Sequence, residues 1–311
     1  MESSLANPAI PVRAINKEDA TGRTIATSHR LDPLLPIAWW HLTSLDAPTV
    51  AVVWTLAFAW AVGITLPAWV PASLALAAWS VYIADRLLDA RSAFLTNQLH
   101  RLRLRHHFHW RHRRIFIPLA LVSACAAVFL VFCFMPVAAL ERNSVLGAAA
   151  LAYFSGVHSP RRFRPLLSRL LAKEALVAIL FTAACVLPTL SRAFVPVPAH
   201  SAALWPLSAM AFFFTLLAWI NCHAIECWES GDSAPHLGIS GHALLLAFTG
   251  LILGAMLFAI HSPRTAGVVC AGEASALLLA MLDHQRERLS PLALRAAADL
   301  VLLTPLALLL Q

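Results

Sequence analysis

Charge is scarce in this chain. Asp, Glu, Lys and Arg together make up only 13% of its 311 residues, whereas hydrophobic residues make up 59%. Soluble globular domains carry about 25% charged residues, and a soluble protein this apolar would need an implausibly large core. Apolar runs long enough to cross a bilayer as helices recur along the chain. The composition therefore excludes an ordinary soluble domain and predicts an integral membrane protein built from α-helices.

The sequence shows neither a signal peptide nor a pattern of cysteines that would indicate disulfide bonds. Residues 1–33 are polar and lack the apolar central run of a signal peptide, so we expect a flexible cytosolic tail. The cysteines do not indicate a disulfide framework, because all of them fall in or beside apolar runs. We interpret them as small packing residues: Cys125, Cys133, Cys185, Cys222, Cys227 and Cys270.

Candidate membrane spans are separated by proline, glycine or charge clusters. They cover 47–67, 70–89, 115–134, 137–156, 171–191, 204–228, 240–261, 265–283 and 292–311. We therefore predict an all-α membrane protein, a bundle of about nine transmembrane helices in which residues 34–311 form a single domain. The apolar run at 33–43 is too short to span and is expected to lie at the membrane interface.

Basic residues are distributed unevenly between the two sides of these spans. With the N-terminus in the cytosol, 20 of the 23 Lys and Arg residues fall on the cytosolic side, as the positive-inside rule requires. We therefore expect a cytosolic N-terminus and, for a bacterial protein, the inner membrane. The net charge of +7 indicates contact with anionic lipid headgroups. It does not indicate nucleic-acid binding, because the basic residues lie in loops at the membrane edge.

Two predicted spans end in acidic residues on the cytosolic side. In "VYIADRLLDA", residues 81–90, Asp85 and Asp89 are four apart and share one helix face, although like charges at that spacing disfavour a helix. The second such end is "INCHAIECWESGD", residues 220–232, four spans later. The matching positions of the two ends indicate a distant internal repeat, as is common in membrane folds.

The chemistry of these ends favours a metal–diphosphate site. Mg²⁺ is often held by one or two carboxylates together with substrate phosphates and water, and two facing helix ends could clamp it. Arginines of "SPRRFRPLLSRLLAK", residues 159–173, could neutralise the remaining phosphate charge. The simpler alternative is that Asp85 and Asp89 end a span in water, paired with Arg86 and Arg91.

These residues resemble the UbiA superfamily of intramembrane prenyltransferases, whose members form a nine-helix bundle with two aspartate-rich motifs on the cytosolic side. The first family motif reads N-D-x-x-D-x-x-x-D. "VYIADRLLD" is similar to it through Asp85 and Asp89, with Val81 and Tyr82 at the positions of the leading Asn and Asp. The segment after the sixth span and the basic stretch in "YFSGVHSPRRFRP" are looser matches to the second motif and to the loop after helix four.

The resemblance implies transfer of a polyprenyl group from a prenyl diphosphate donor to an aromatic or other lipid-soluble acceptor, with Mg²⁺ as cofactor. It implies that the catalytic and metal-binding residues are Asp85, Asp89, Glu226 and Glu229. It also implies that the substrate-binding residues are Arg86, Tyr153, Arg161, Arg162, Lys173 and Asn221.

Two other functions stay open from the sequence. One is a UbiA-like membrane protein without transferase activity, such as a lipid-binding or assembly partner. The other is a transporter or channel, which is disfavoured because the carboxylates cluster at one membrane face instead of lining several spans.

Further polar residues have less specific interpretations. The stretch "RHHFHWRHRR", residues 105–114, predicts an interfacial helix, since its arginines would repel a metal ion from its histidines. Arg295 and Asp299 are four apart and are expected to pair with each other. Glu273 falls in the middle of a span, where it is a functional candidate or forms a hydrogen bond inside the bundle.

Overall fold

The computed structural model describes residues 35–96, 103–158, 173–193, 201–230 and 238–311. Within these ranges the chain is almost entirely helical and contains no β-strand, so the all-α prediction is confirmed for this part of the protein. Arg161 and Arg162, as well as the predicted N-terminal tail, lie outside the described residues.

The helices follow one another with short connections. They are α1 (Leu35–Leu42), α2 (Asp46–Ala61), α3 (Trp69–Leu95), α4 (Leu104–Arg111), α5 (Arg113–Phe134), α6 (Val137–His158), α7 (Lys173–Ala193), α8 (Ser201–Ser230), α9 (Ile239–Ala259), α10 (Pro263–His284), α11 (Pro291–Leu300) and α12 (Leu306–Leu309). Two 3₁₀ turns, Arg286–Arg288 and Val301–Leu303, flank α11.

Five of the described helices, namely α5, α7, α8, α9 and α10, are long and apolar enough to cross a membrane. The number of spans rises to six if α1 and α2 together form one span; these two helices meet at a bend of 91°. The predicted count of nine is therefore not confirmed. The predicted last span, 292–311, is divided into α11, a 3₁₀ turn and α12. Pro305 stands directly before α12, where its missing N–H group removes one helical hydrogen bond.

Helix α8 lies at the centre of the bundle and α5 at its periphery. Of their most apolar 18-residue windows, 56% is buried in α8 and only 17% in α5. The exposed face of α5 is apolar, as expected for a helix that contacts lipid.

Aromatic side chains join α2 to the centre of the bundle. Trp54 is fully buried and stacks on Phe214 of α8 with ring centroids 3.8 Å apart. Its indole Nε1 donates a hydrogen bond to the carbonyl oxygen of Leu302 at 2.9 Å. The C-terminal segment is therefore attached to α2 through this hydrogen bond.

Helix α10 packs closely against neighbouring side chains at Gly272, so a larger residue there should destabilise the protein. A Cβ atom added there would lie 2.7 Å from Cε1 of Phe213 and 3.3 Å from Cη2 of Trp54. We expect Gly272→Ala to lower the free energy of unfolding by about 1–3 kcal/mol through overpacking, although alanine favours a helix. Thermal unfolding in detergent measures this. The matched control is Gly241→Ala in α9, where nothing lies within 4 Å of the added atom; equal effects of the two changes would contradict the packing.

Candidate functional site

Charged side chains converge where α3 and α8 approach their C-terminal ends and α2 begins, beside the middle and last turn of α11. We call this group the charged cluster; it contains His41, Asp46, Arg86, Arg105, Glu229, Arg295 and Asp299. Most of these side chains are well removed from solvent. Buried charges are costly unless they are paired, so their partners determine what the site can do.

Asp46 is the centre of the inner half of the cluster. Its Oδ2 atom lies 2.6 Å from Nδ1 of His41 and 3.6 Å from Nη2 of Arg86. Its Oδ1 atom accepts a hydrogen bond from the backbone N–H of Ala47 at 2.9 Å. His41 and Asp46 are each 1% exposed and Arg86 is 2% exposed. The carboxylate of Asp46 is thus the partner that compensates the buried guanidinium of Arg86.

Arg86 also holds the bend between α1 and α2. Its Nη1 atom donates to Oγ of Ser44 at 2.5 Å and to the carbonyl oxygen of His41 at 3.2 Å. Ser44 has φ +62°, a left-handed conformation that non-glycine residues adopt rarely. Its hydroxyl also lies 3.0 Å from Nε2 of His109 in α4. These bonds fix the strained bend by attaching it to α3 and α4.

Glu229 is the centre of the outer half of the cluster. Its Oε1 atom lies 2.7 Å from Nη1 of Arg105 and 3.1 Å from Nη1 of Arg295, and Arg103 forms a further ion pair with its carboxylate. Burial lowers the pKa of Arg105 to about 10, and the neighbouring positive charge of Arg295 acts in the same direction. Arg105 therefore keeps its charge at neutral pH, and Glu229 is surrounded by three arginines.

The short basic helix α4 connects the two acidic helix ends that the sequence singles out. From it, Arg105 reaches Glu229 of α8, and Nε2 of the neighbouring His106 lies 3.7 Å from Oδ2 of Asp89 in α3. Of the interfacial helix predicted at 105–114, residues 105–111 are helical in α4, whereas Arg113 and Arg114 begin α5. The sequence did not predict the contacts of α4 with Glu229 of α8 and with Asp89 of α3.

The other predicted site residues occupy different positions. Glu226 is exposed and lies 3.5 Å from Arg103. Asn221 donates to Oδ1 of Asp299 at 3.4 Å. Lys173 is the exposed first residue of α7. Tyr153 falls within α6, and its side chain is outside the described part of the chain, as are Arg161 and Arg162. Of the predicted residues, Arg86 and Glu229 thus belong to the charged cluster, and Asn221 contacts it through Asp299.

The predicted four-carboxylate metal set does not form a compact group. Within the part of the chain that the structure describes, the one set of three His, Cys, Asp or Glu residues with mutually close ligand atoms is His41, Asp46 and Asp299. The four predicted carboxylates divide into Asp85 and Asp89 on α3 and two glutamates on α8 that have arginine partners.

Sequence reasoning missed His41, Asp46 and Arg105 as site residues. A usable signal existed for Asp46, because it is an ionisable residue at the start of a long apolar helix. Arg295 and Asp299, which the sequence pairs, do interact electrostatically, but the closest ion pair of Arg295 is with Glu229, and Asp299 accepts a hydrogen bond from Asn221. Spacing of four residues permits a pair, but partners on other helices compete for each charge.

An open pocket of about 380 Å³ borders the outer half of the cluster. Glu229 and Arg295 form one side, and residues at the α10–α11 connection form the other. The lining includes Trp228, Arg286, Glu287 and Leu294. Its mixture of charged and apolar groups suits an amphipathic ligand with a charged head.

The histidines of α4 predict that acid destabilises the protein. Burial, reinforced by the charge of Arg105, lowers the pKa of His106 to about 3. Burial also lowers the pKa of His109 to about 4, although its hydrogen bond to the Arg105 carbonyl opposes this. The unfolded chain takes up a proton at each near pH 6.5 and the folded chain does not, so stability falls as pH decreases from about 6.5 toward 4.

We expect each of these histidines to cost about 2 kcal/mol of stability between pH 7 and pH 5. The measurement is the difference in unfolding temperature in detergent at the two pH values. His109→Gln should reduce this difference, whereas His107→Gln, at an exposed position of the same helix, should leave it as in the wild type. A His109 variant with the full acid sensitivity would exclude this origin.

No protein-family model, curated protein or solved structure matches this chain. The residues of the site are therefore the basis for its chemistry. A basic helix between two acidic helix ends, with an open pocket beside it, can bind a phosphorylated ligand through its arginines and a cation through the carboxylates of α3.

Proposed function

We propose that this protein is a membrane prenyltransferase that moves a polyprenyl group from a prenyl diphosphate to an aromatic or other lipid-soluble acceptor. The observation that supports this most is the bridge formed by α4, in which His106 lies beside Asp89 and Arg105 binds Glu229. It joins the acidic ends of α3 and α8 with a group of arginines. A donor with a doubly charged head and a hydrocarbon tail requires such a charged site beside a bilayer.

We propose that the site faces the cytosol and that the N-terminus lies on the same side. The support is the excess of Lys and Arg in the loops on that side of the predicted spans. In this orientation a water-soluble diphosphate product leaves toward the cytosol, while the prenyl tail stays in the lipid phase.

Asp85 and Asp89 are the predicted carboxylates that fit Mg²⁺. They lie one turn apart on α3, both are partly exposed, and the Asp89 side chain is 45% exposed. Mg²⁺ commonly takes one or two carboxylates plus phosphate and water. When bound, it would neutralise charge on the diphosphate leaving group.

Glu229 fits a different role in the same site, and Glu226 lies at its exposed edge. Their contacts with Arg103, Arg105 and Arg295 place positive charge where a second cation would have to bind. We propose that Glu229 positions these arginines, whose planar N–H groups bind phosphate oxygens in pairs. Arg105 and Arg295 would then stabilise the negative charge that develops on the leaving diphosphate.

The second function, a membrane protein of similar architecture without transferase activity, is favoured by a specific observation. The carboxylates of α8 already have arginine partners, whose positive charges oppose a second cation beside them. Val81, at the first position of the motif-like stretch, is apolar and 48% exposed. A site reduced in this way could bind a phospholipid headgroup without catalysing transfer.

Ligand-dependent stability separates the two functions. The full chain in detergent is heated with Mg²⁺ alone, with prenyl diphosphates of several chain lengths alone, and with both; non-hydrolysable thio-analogues provide a second set. A transferase is expected to gain more stability from the pair than from either component, because each ligand strengthens binding of the other. Stabilisation by anionic phospholipid but by no prenyl diphosphate, at any chain length, would favour the second function.

A further inference from the structure

We propose that His41, Asp46, Asp299 and the amide oxygen of Asn221 form a binding site for a divalent transition-metal ion. Nδ1 of His41 lies 2.6 Å from Oδ2 of Asp46 and 3.9 Å from Oδ2 of Asp299. The ligand atoms of the three residues all lie within 4.8 Å of one another. Two atoms bound to one such ion, each at about 2.1 Å, are at most about 4 Å apart, so small side-chain shifts complete the geometry.

An independent observation points to a ligand at the same position. Asn221 is 4% exposed, and its side-chain oxygen has no hydrogen-bond partner among the described residues. The nitrogen of the same amide group donates to Asp299 at 3.4 Å, so the amide lies beside one of the three candidate ligands. An unsatisfied buried carbonyl oxygen costs about 1–3 kcal/mol, and coordination of a cation would satisfy it.

The donor set determines which cations fit. One imidazole nitrogen, two carboxylates and an amide oxygen suit Mn²⁺, Fe²⁺ or Zn²⁺, whereas Mg²⁺ prefers oxygen ligands and retains its water. The ion would take the place of the proton between His41 and Asp46, and His41 would bind it as a neutral imidazole. Acid would therefore weaken binding. This site is distinct from the one proposed for Mg²⁺ on α3, and it does not depend on prenyl transfer.

Two nearby arginines oppose a cation, and this gives the inference its sharpest test. Nη2 of Arg86 lies 3.6 Å from Asp46, and Arg295 is one turn before Asp299 on α11. Arg295 is paired with Glu229 but still acts on the cluster, including His41. Arg86 is the guanidinium that lies closest to a proposed ligand atom, Oδ2 of Asp46. Removing the charge of Arg86 should therefore strengthen metal binding, because it leaves the carboxylate of Asp46 without that partner.

Binding of Mn²⁺ to the full chain in detergent can be measured from the electron paramagnetic resonance of the free ion. Mn²⁺ avoids the thiolates that would bind Zn²⁺. The experiment uses an Asp85→Asn/Asp89→Asn background, so that the outcome is independent of the proposed Mg²⁺ site. We expect one ion per chain. His41→Gln and Asp299→Asn should weaken binding at least tenfold, Arg86→Gln should strengthen it by a similar factor, and Glu273→Gln should leave it unchanged.

A second measurement needs no substitution in the cluster. In pulsed electron paramagnetic resonance, Mn²⁺ bound by His41 should show modulation from a coordinated imidazole nitrogen. Stoichiometric binding with this signal would support the site even if the His41 and Asp299 variants fail to fold. Absence of stoichiometric binding would overturn the inference. Binding without the nitrogen signal, or with unchanged affinity in folded His41→Gln and Asp299→Asn variants, would also overturn it.

Discussion

Changing both Asp85 and Asp89 to asparagine is expected to weaken Mg²⁺-dependent binding of a prenyl thio-diphosphate by about a hundredfold or more, and to slow transfer at least as much. Asparagine keeps the size of the side chain and removes the charge that holds the cation. Both residues are partly exposed, so the fold should survive. Calorimetric titration of the thio-analogue, with and without Mg²⁺, measures this effect and requires no knowledge of the acceptor.

The matched control is Glu226→Gln. Glu226 is also an acidic residue near the end of a long helix, and its ion pair with Arg103 is largely exposed, with side chains 55% and 36% accessible. Exposed pairs contribute about 0–1 kcal/mol, so we expect a change of less than tenfold. If the double variant Asp85→Asn/Asp89→Asn keeps Mg²⁺-dependent binding of the donor analogue, the assignment of Mg²⁺ to Asp85 and Asp89 is wrong.

Changing Asp46 to alanine is expected to lower the free energy of unfolding by about 3–5 kcal/mol. The change leaves the guanidinium of Arg86 buried at 2% exposure without its carboxylate partner. It also removes the 2.6 Å contact with His41. Because Arg86 holds the bend at Ser44, we expect α1 to detach from α3 before the rest of the bundle unfolds.

A double variant tests whether the unpaired charge is the cause. Asp46→Ala combined with Arg86→Met removes both charges and should recover part of the lost stability, since an apolar replacement for a buried pair is often neutral or better. Unfolding in detergent, followed by tryptophan fluorescence, provides the comparison. A double variant less stable than Asp46→Ala alone would mean that Arg86 contributes mainly through Ser44 and the His41 carbonyl.

Most of the long helices could be predicted from the apolar runs. The predicted spans at 115–134, 240–261 and 265–283 correspond closely to α5, α9 and α10, because a long apolar segment in a bilayer must satisfy its backbone hydrogen bonds internally. The last predicted span is helical but is not one regular α-helix. It changes to a 3₁₀ turn at Val301–Leu303, and Pro305 follows directly before α12; apolar composition alone does not predict this change.

From the sequence, only the helix ends that carry the site could be predicted, not the pairs that their charged residues form. Periodicity places Asp85 and Asp89 on one face of α3, and the contacts of α4 with Asp89 and Glu229 show that the end of α8 is nearby. Periodicity does not predict that Arg105 and Arg295 both bind Glu229. Those pairings join residues more than 60 positions apart, and nothing local in the chain distinguishes them from other combinations of the same charges.

The amino-acid sequence by itself determined which segments are helical and apolar enough to enter a membrane, because transfer of each segment out of water depends on its own composition and length. It also determined that acidic and basic residues gather near the ends of the long helices. Only the tertiary structure decided which charges become partners. Coulomb energies and desolvation depend on distance and burial, and both are set by how α2, α3, α4, α8 and α11 pack. Asp46 therefore binds His41 and Arg86, and Glu229 binds arginines.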